Sequence, residues 1–112
     1  MKKTIALLSL LLATTGTAYA ESNPHVAEAL KHAEHAVSHG SQGHASQLVS
    51  HAENALGHAK QAESSVQGEV KSHVEAGIKA LEESIQHGNQ DHAPVATKHA
   101  EEAVNHFKAA NG

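Results

Sequence analysis

The sequence predicts an all-α fold, an antiparallel up-down four-helix bundle made of two duplicated helical hairpins. Apolar residues recur at spacings of three and four, which is typical of amphipathic helices, and no stretch alternates as a strand would. A glycine-led turn with a histidine on either side occurs twice, at 39–44 and again 48 residues later at 87–92. Each turn separates two helical segments, so each is interpreted as the bend of one hairpin.

Several residues predict where the helices begin and end. Asn23 and Pro24 predict the N-cap and first residue of the first helix, which runs to about residue 39. The glycines that lead the two turns, Gly40 and Gly88, are expected to take the left-handed conformation that ends a helix. Asp91 is expected to be the N-cap of the fourth helix.

The boundary between the second and third helices is ambiguous in the sequence. Ser64 and Gln67 resemble a capping box, which favours a break there. The apolar spacing nevertheless continues through this stretch, so one long helix over 44–87 is the alternative. We favour the break, because an unbroken helix of that length would leave its apolar stripe hard to cover.

The N-terminal segment 1–20 is predicted to be a secretory signal peptide, and 21–112 the functional domain. A basic start and a short apolar run precede Ala18-Tyr19-Ala20, which has the small-x-small pattern of a cleavage site. The apolar run is too short to span a bilayer. These features predict export of a histidine-rich domain to the periplasm, without a membrane anchor after cleavage.

The composition disfavours nucleic acid and most catalytic chemistry. Removal of residues 1–20 takes two lysines with it, so the formal net charge changes from −4 to −6 and no basic surface is expected for phosphate. There is no cysteine, which excludes disulfides and thiolate ligands. The chain has no zinc-protease, haem-attachment, phosphate-loop or nucleophile-elbow motif. We therefore expect a protein that is not an enzyme.

Histidine is the anomaly of the sequence, because twelve are present and all lie after residue 20. Shifting the first hairpin by 48 residues places five histidines on histidines. Two have no counterpart, since His32 faces Ala80 and His35 faces Glu83. All twelve are candidate metal ligands: His25, His32, His35, His39, His44, His51, His58, His73, His87, His92, His99 and His106.

The histidines are predicted to form facing rows. In the repeated heptad His-Ala-Glu-x-Ala, histidine lies about 90° from the centre of the apolar face on a helical wheel, at its rim. The two arms of a hairpin carry histidines at equal distances from the turn. The equidistant pairs are His39 with His44, His32 with His51, His25 with His58, His87 with His92 and His73 with His106. Rows that turn toward each other would form pairs about 10 Å apart along the axis. Rows that turn away would meet between hairpins, and the sequence leaves both arrangements open.

Imidazole at this density predicts metal binding. Neutral imidazole suits Cu(II), Ni(II) and Zn(II), and nitrogen and oxygen donors favour Cu(II) among these ions. The four turn histidines rank highest as ligands, because both turns lie at the same end of an up-down bundle. Glutamates four residues before a histidine are expected to bind the ion or to orient the ring. These pairs are Glu28–His32, Glu69–His73, Glu83–His87 and Glu102–His106.

A signal peptide followed by a cysteine-free chain of His-Ala-Glu-x-Ala heptads resembles the periplasmic small metal-binding protein family. The resemblance covers the whole of 21–112. It implies a helical periplasmic protein that binds several divalent ions, Cu(II) above all, and serves copper homeostasis and tolerance. The histidine motif carries over to His25, His32, His51, His58, His73, His99 and His106, whereas alanine at position 80 departs from it.

A structural or pH-responsive helical interaction module, without a specific metal role, is the alternative function. Imidazole has a pKa near 6.5, so a histidine-rich bundle also gains charge in mildly acidic solution. The expected partners are divalent metal ions and not nucleic acid. We expect a monomer, with a weak dimer through the thin core left open.

Overall fold

The computed structural model describes residues 23–112 as four α-helices. They are α1 (Pro24–Ser41), α2 (Ala45–Glu63), α3 (Gly68–Asn89) and α4 (Ala93–Asn111). No strand occurs within 23–112, and no helix there combines the length and apolar character needed to cross a membrane. The predicted all-α class is confirmed. The predicted signal peptide, 1–20, lies outside the described residues.

The helices pack around the bundle in chain order. α1 packs against α2 and α4, α3 packs against the same two helices, and the diagonal contact between α2 and α4 is slight. Short turns join successive helices, so neighbours run antiparallel. The predicted up-down bundle of two hairpins, α1–α2 and α3–α4, is confirmed.

The core is built mainly from alanine. Within 23–112, fourteen of the twenty buried hydrophobic residues are alanine, so the helix backbones can approach closely. Phe107, Leu48 and Leu81 are the largest fully buried side chains of this part of the chain. Val95 on α4, although apolar, is 41% exposed. Close approach of the backbones matters for the site, because it lets side chains on facing flanks meet across a groove.

Capping side chains explain one helix start and fail to explain another. The Asn23 side chain accepts hydrogen bonds from backbone amides of the first turn of α1, which confirms it as the N-cap. α2 and α3 are separate helices, which confirms the predicted break. The predicted capping box does not form, however. The Ser64 hydroxyl donates to the Gln61 carbonyl at 3.0 Å, and Gln67 makes no side-chain capping bond.

The first turn has the hydrogen-bond pattern of a Schellman motif. The His44 amide donates to the His39 carbonyl at 3.0 Å, and the Gly43 amide donates to the Gly40 carbonyl at 2.9 Å. The left-handed residue is Gly43, with φ of 81°. The prediction that Gly40 holds this place is wrong, because α1 continues through it.

The second turn repeats the motif with a different residue at its left-handed position. The His92 amide donates to the His87 carbonyl and the Asp91 amide to the Gly88 carbonyl, both at 2.9 Å. Asp91 has φ of 64°, a conformation that its short polar side chain tolerates. The predictions of a left-handed Gly88 and an Asp91 N-cap are therefore wrong. The N-cap of α4 is His92.

Gly40 and Gly88 are needed because a side chain would not fit at either position, and not because the backbone there is left-handed. Both are buried inside their helices. A Cβ on Gly40 would overlap the side chains of Thr97 and Leu48, and a Cβ on Gly88 would overlap Val49. Since Thr97 belongs to α4 and Val49 to α2, these contacts place both turns at the same end of the bundle, as predicted.

Candidate metal centre

The histidine rows lie in the grooves within each hairpin, one row on each helix. Every ring contact between two histidines in 23–112 joins residues of the same hairpin, so the arrangement in which rows turn toward each other is the one found. Nine of the twelve histidines are half-buried, whereas His35, His44 and His92 are exposed. This intermediate burial is what the rim position on the helical wheel predicts.

Equidistant histidines stand opposite each other, as predicted. The ring-centroid distances are 5.6 Å (His25–His58), 6.1 Å (His32–His51) and 6.2 Å (His39–His44) in the first hairpin, and 5.6 Å (His73–His106) and 6.2 Å (His87–His92) in the second. At the turns, the Schellman motif itself produces the pair, because it brings together the two residues that flank the turn.

The first hairpin carries a continuous ladder of rings and not separate rungs. The diagonal neighbours His32 and His58 have centroids 5.6 Å apart, and His39 and His51 are closer still, at 5.0 Å. Side chains on a helix lean toward its N-terminus, so the rings of antiparallel α1 and α2 are displaced in opposite directions along the axis. His51 and His58 on α2 therefore each fall between two rings on α1. The predicted spacing of about 10 Å holds along one helix but does not isolate the pairs.

Two groups of three possible ligands occur in the first hairpin. His32, His35 and His51 each offer a ring nitrogen within 4.8 Å of the others, and so do Glu28, His32 and His58 when one carboxylate oxygen is counted. His35 joins the first group because it lies on the same face of α1 as His32 and meets His51 edge-on, at 5.3 Å between centroids. His32 belongs to both groups.

At the end of each hairpin away from the turn, two ring nitrogens face each other directly. The Nδ1 atoms of His25 and His58 are 3.4 Å apart, and those of His73 and His106 are 3.3 Å apart. Nitrogen ligands about 2.0–2.1 Å from a tetrahedral ion are separated by about 3.3 Å. These pairs therefore need little movement to hold one ion between them.

The second hairpin has an interrupted ladder. His73 and His106 form one pair, and His99, His87 and His92 form a separate chain in which the His87–His99 centroids are 5.4 Å apart. The interruption falls at Ala80, which occupies the position of His32 in the first hairpin. This departure from the repeat divides the row of rings in two.

Carboxylates surround His99 in the second hairpin. Its Nδ1 lies 3.0 Å from an oxygen of Glu102 and 3.3 Å from an oxygen of Glu83. The predicted pairs of Glu83 with His87 and Glu102 with His106 are therefore replaced, within 23–112, by contacts of both glutamates with His99. The duplication in the sequence indicates this contact. Glu83 aligns with His35, and His35 contacts the residue of the first hairpin that aligns with His99.

The other predicted glutamate–histidine pairs have mixed outcomes. Glu28 lies 4.0 Å from His32 Nε2, as predicted. No ion pair between Glu69 and His73 occurs among the described residues. Of the four predicted glutamate–histidine pairs, Glu28 with His32 is the one that forms within 23–112.

Burial keeps central histidines of the ladder neutral. It lowers the pKa of His32 below 6.5, and the neighbouring His58 adds to this effect. The pKa of His51 is lowered by burial and then by the positive charge that His39 and His35 would carry when protonated. Because only a neutral ring nitrogen can bind a metal ion, both residues are ready to act as ligands at neutral pH.

Several ring nitrogens lie in the groove without a hydrogen-bond partner. They are the Nδ1 atoms of His32, His39, His51 and His87. A buried nitrogen left unpaired costs about 1–3 kcal/mol. Three of the four belong to the first hairpin, and two of those three are members of a three-ligand group. This donor set, preassembled and unsatisfied, fits a metal ion.

The four turn histidines, ranked highest from the sequence, form two separate pairs at one end of the bundle. No ring contact within 23–112 joins the first pair to the second. The groups of three possible ligands lie further along the first hairpin. The ranking of the turn histidines stays a prediction. The groups further along arise from the lean of the side chains, which is not visible in residue numbers.

Comparison with known proteins agrees with this chemistry. A protein-family model described as small metal-binding protein matches residues 1–110. A comparison with curated proteins found no match. The family match extends over both hairpins and every histidine.

Proposed function

We propose that this chain, which belongs to the small metal-binding protein family, binds and buffers several divalent transition-metal ions, chiefly Cu(II). We propose further that it serves copper homeostasis in the periplasm. The observation that carries the proposal is the group formed by His32, His35 and His51, whose ring nitrogens lie within 4.8 Å of one another. Small rotations of these side chains bring three nitrogens onto one ion.

Buffering fits the position of the ligands better than catalysis does. The side chain of His32 is 24% exposed and that of Glu28 is 46% exposed, so an ion held there remains open to solvent and to competing ligands. Ligands that solvent can reach in this way are expected to bind with moderate affinity and to release their ion readily. His32 belongs to two overlapping groups, so an ion can also pass from one group to the other by exchanging one ligand at a time.

The donor atoms support Cu(II) as the main ion. The chain contains no cysteine, and its one methionine is Met1, so soft sulfur ligands for Cu(I) are absent from the bundle. Imidazole nitrogens with a nearby carboxylate bind Cu(II) more strongly than Ni(II) or Zn(II) under the usual order of divalent ions. The periplasmic location rests on the signal-peptide features of residues 1–20.

Calorimetric titration with Cu(II), Ni(II) and Zn(II) tests the proposal, together with thermal unfolding of the same samples. We expect saturable binding of several ions per chain, tightest for Cu(II). At a free ion concentration a hundredfold above Kd, binding adds about 2.7 kcal/mol to the free energy of unfolding. That corresponds to a rise in Tm of more than about 10 °C, which a chelator reverses.

The alternative, a pH-responsive helical module, predicts a different result from the same experiment. It would show no saturable heat with any of the three ions, and its Tm would change with pH but not with chelator. That outcome would reject metal buffering. The lowered pKa values of His32 and His51 predict a pH response under either function. The metal titration is therefore the measurement that distinguishes the two functions.

A further inference from the structure

An asparagine stands directly before a glycine where α4 ends, as Asn111 and Gly112. Gly112 has φ of 107°, so the backbone leaves the helical conformation immediately after Asn111. Asn111 is half-buried, and its side-chain oxygen Oδ1 is buried without a hydrogen-bond partner. Buried polar atoms of a folded protein are generally paired. The fold therefore does not anchor this amide oxygen, although it lies against the protein.

We propose that Asn111 is a site of spontaneous modification, at which the side-chain amide is converted to a carboxylate. The backbone nitrogen of Gly112 gives its proton to a base in the solvent and bonds to Cγ of Asn111. The bond between Cγ and Nδ2 breaks, and ammonia leaves after taking a proton from water. Water then opens the five-membered succinimide at either carbonyl group, which leaves aspartate or isoaspartate. Glycine favours the first step because it has no side chain to obstruct the approach.

Asn23 shows how the fold protects an asparagine from this reaction. Its Oδ1 accepts hydrogen bonds from the backbone amides of His25 at 2.8 Å and of Val26 at 3.3 Å. Its Nδ2 donates to the hydroxyl of Ser65 at 3.2 Å. The next residue is Pro24, whose nitrogen carries no proton to lose. Both reaction partners are therefore withheld at this position.

The remaining asparagines of 23–112 are protected through the amide that follows them. Asn54 and Asn105 lie inside α2 and α4, so the next backbone nitrogen belongs to the helical hydrogen-bond ladder. Asn89 is the last residue of α3, but the next amide, that of Gln90, donates to the carbonyl of His87 at 3.1 Å. Within 23–112, Asn111 is the one asparagine that both ends a helix and precedes a glycine.

The modification changes the C-terminal end of α4. The carbonyl end of a helix carries partial negative charge, so a new carboxylate at this position is unfavourable. Isoaspartate also inserts a methylene group into the main chain, which the helical hydrogen-bond ladder does not accommodate. We expect the last turn of α4 to open. The nearest histidine of this helix, His106, lies five residues earlier, so the inference is independent of the proposed metal binding.

Peptide mass spectrometry of the folded protein, incubated in mildly alkaline solution, tests the inference. The peptide that contains Asn111 should gain the mass difference between an amide and a carboxylic acid before any other asparagine reacts, and it should appear as both aspartate and isoaspartate. Asn111→Gln should abolish the change in this peptide, because the longer side chain forms its ring far more slowly. Gly112→Ala keeps the asparagine but obstructs the attack, so conversion should slow severalfold.

The same incubation in denaturant separates the contribution of the fold from that of the dipeptide. Unfolding releases the amides that follow Asn54, Asn89 and Asn105, so conversion of these three should accelerate. Asn111 should convert at nearly the same rate in the folded and the unfolded chain. Protection of Asn111 by folding as strong as that of Asn105, or earlier conversion of Asn89 in the folded protein, would overturn the inference.

Discussion

The two hairpins share a backbone plan and differ in what their grooves hold. Both turn through a Schellman motif, both place a histidine pair at the turn, and both close their far end with facing Nδ1 atoms 3.3–3.4 Å apart. Between these ends, the first groove is filled with imidazole. The second has Ala80 and Glu83 where the first has His32 and His35.

The two grooves therefore differ in the donors at these positions while their hairpins share one fold. With His32 and His35 present, rings form a continuous ladder and two overlapping groups of ligands. With Ala80 and Glu83, the ladder divides and carboxylates converge on one ring. The helix-packing residues set the distance across the groove, and the residues on its rim determine which donors meet there.

The largest expected effect comes from His32→Ala, which gives the first hairpin the residue that the second has at this position. Both ligand groups lose their common member, so Kd for Cu(II) should rise by at least the roughly 10- to 100-fold that loss of a supporting partner causes. Calorimetric titration measures the change. Ala80 shows that alanine is compatible with the fold at this point of the bundle.

The control for that variant is His92→Ala, which removes an exposed turn histidine outside both three-ligand groups. We expect it to change Kd of the tightest Cu(II) site less than threefold. Similar losses from the two variants would mean that histidine number, and not the ladder, determines affinity.

The next largest expected effect is on stability, and it concerns the buried glycine that each hairpin has near the end of its first helix. Gly40→Ala should lower the free energy of unfolding by about 1–3 kcal/mol, because the new methyl group overlaps Thr97 and Leu48. Gly88→Ala should behave in the same way. Gly57→Ala is the matched control: it lies in a helix with nothing near its Cβ and should stabilise by about 0.5–1 kcal/mol. Chemical denaturation measures all three.

Loss of stability in Gly57→Ala as large as in Gly40→Ala would show that helix propensity, and not packing at the turn end, explains these glycines. The comparison also separates packing from turn conformation, because the left-handed position is Gly43 and not Gly40.

Substitution of the left-handed residue in each turn is expected to change the free energy of unfolding by a smaller amount. Gly43→Asp should destabilise by about 1 kcal/mol, since a side chain is disfavoured at φ of 81°. Asp91→Gly should stabilise by less than that, because Gly gains flexibility in the unfolded chain. If Gly43→Asp left the denaturation midpoint unchanged, the two turns would not depend on glycine for their conformation.

The smallest effect is the pH dependence of the metal-free protein. The pKa values of His32 and His51 are lowered on folding, so the unfolded chain binds more protons just below pH 6.5. The stability is therefore fully present above pH 6.5 and falls as pH decreases toward the folded pKa values. Thermal unfolding between pH 7.5 and 5 should show a falling Tm. A His32→Gln, His51→Gln double variant should show a shallower fall, and an unchanged slope would contradict the assignment.

Most of the fold could be predicted from the sequence because it depends on local patterns. Helical spacing, the Asn23 cap and the repeated turns identify four helices in their order, and the break after α2 was predicted correctly. The end of α1 was misplaced because Gly40 is buried against Thr97, a contact between distant parts of the chain. Glycine at that position looks the same in sequence whether it ends a helix or packs inside one.

The candidate site was predictable in outline and not in detail. Equal distances from the turn predicted which histidines face each other, since that depends only on antiparallel geometry. The diagonal contacts of His32 with His58 and of His39 with His51 depend on the direction in which side chains lean. The convergence of Glu83 and Glu102 on His99 depends on the space that Ala80 leaves, which requires the packed hairpin to be known.

The most direct test is a crystal structure with Cu(II) bound, using anomalous scattering to locate copper. We predict the strongest peak in the groove of the first hairpin, coordinated by His32, His35 and His51, whose ring nitrogens already lie within 4.8 Å of one another. Strongest peaks on single exposed histidines such as His44 or His92, with none between α1 and α2, would contradict the claim that the fold gathers these imidazoles to bind an ion.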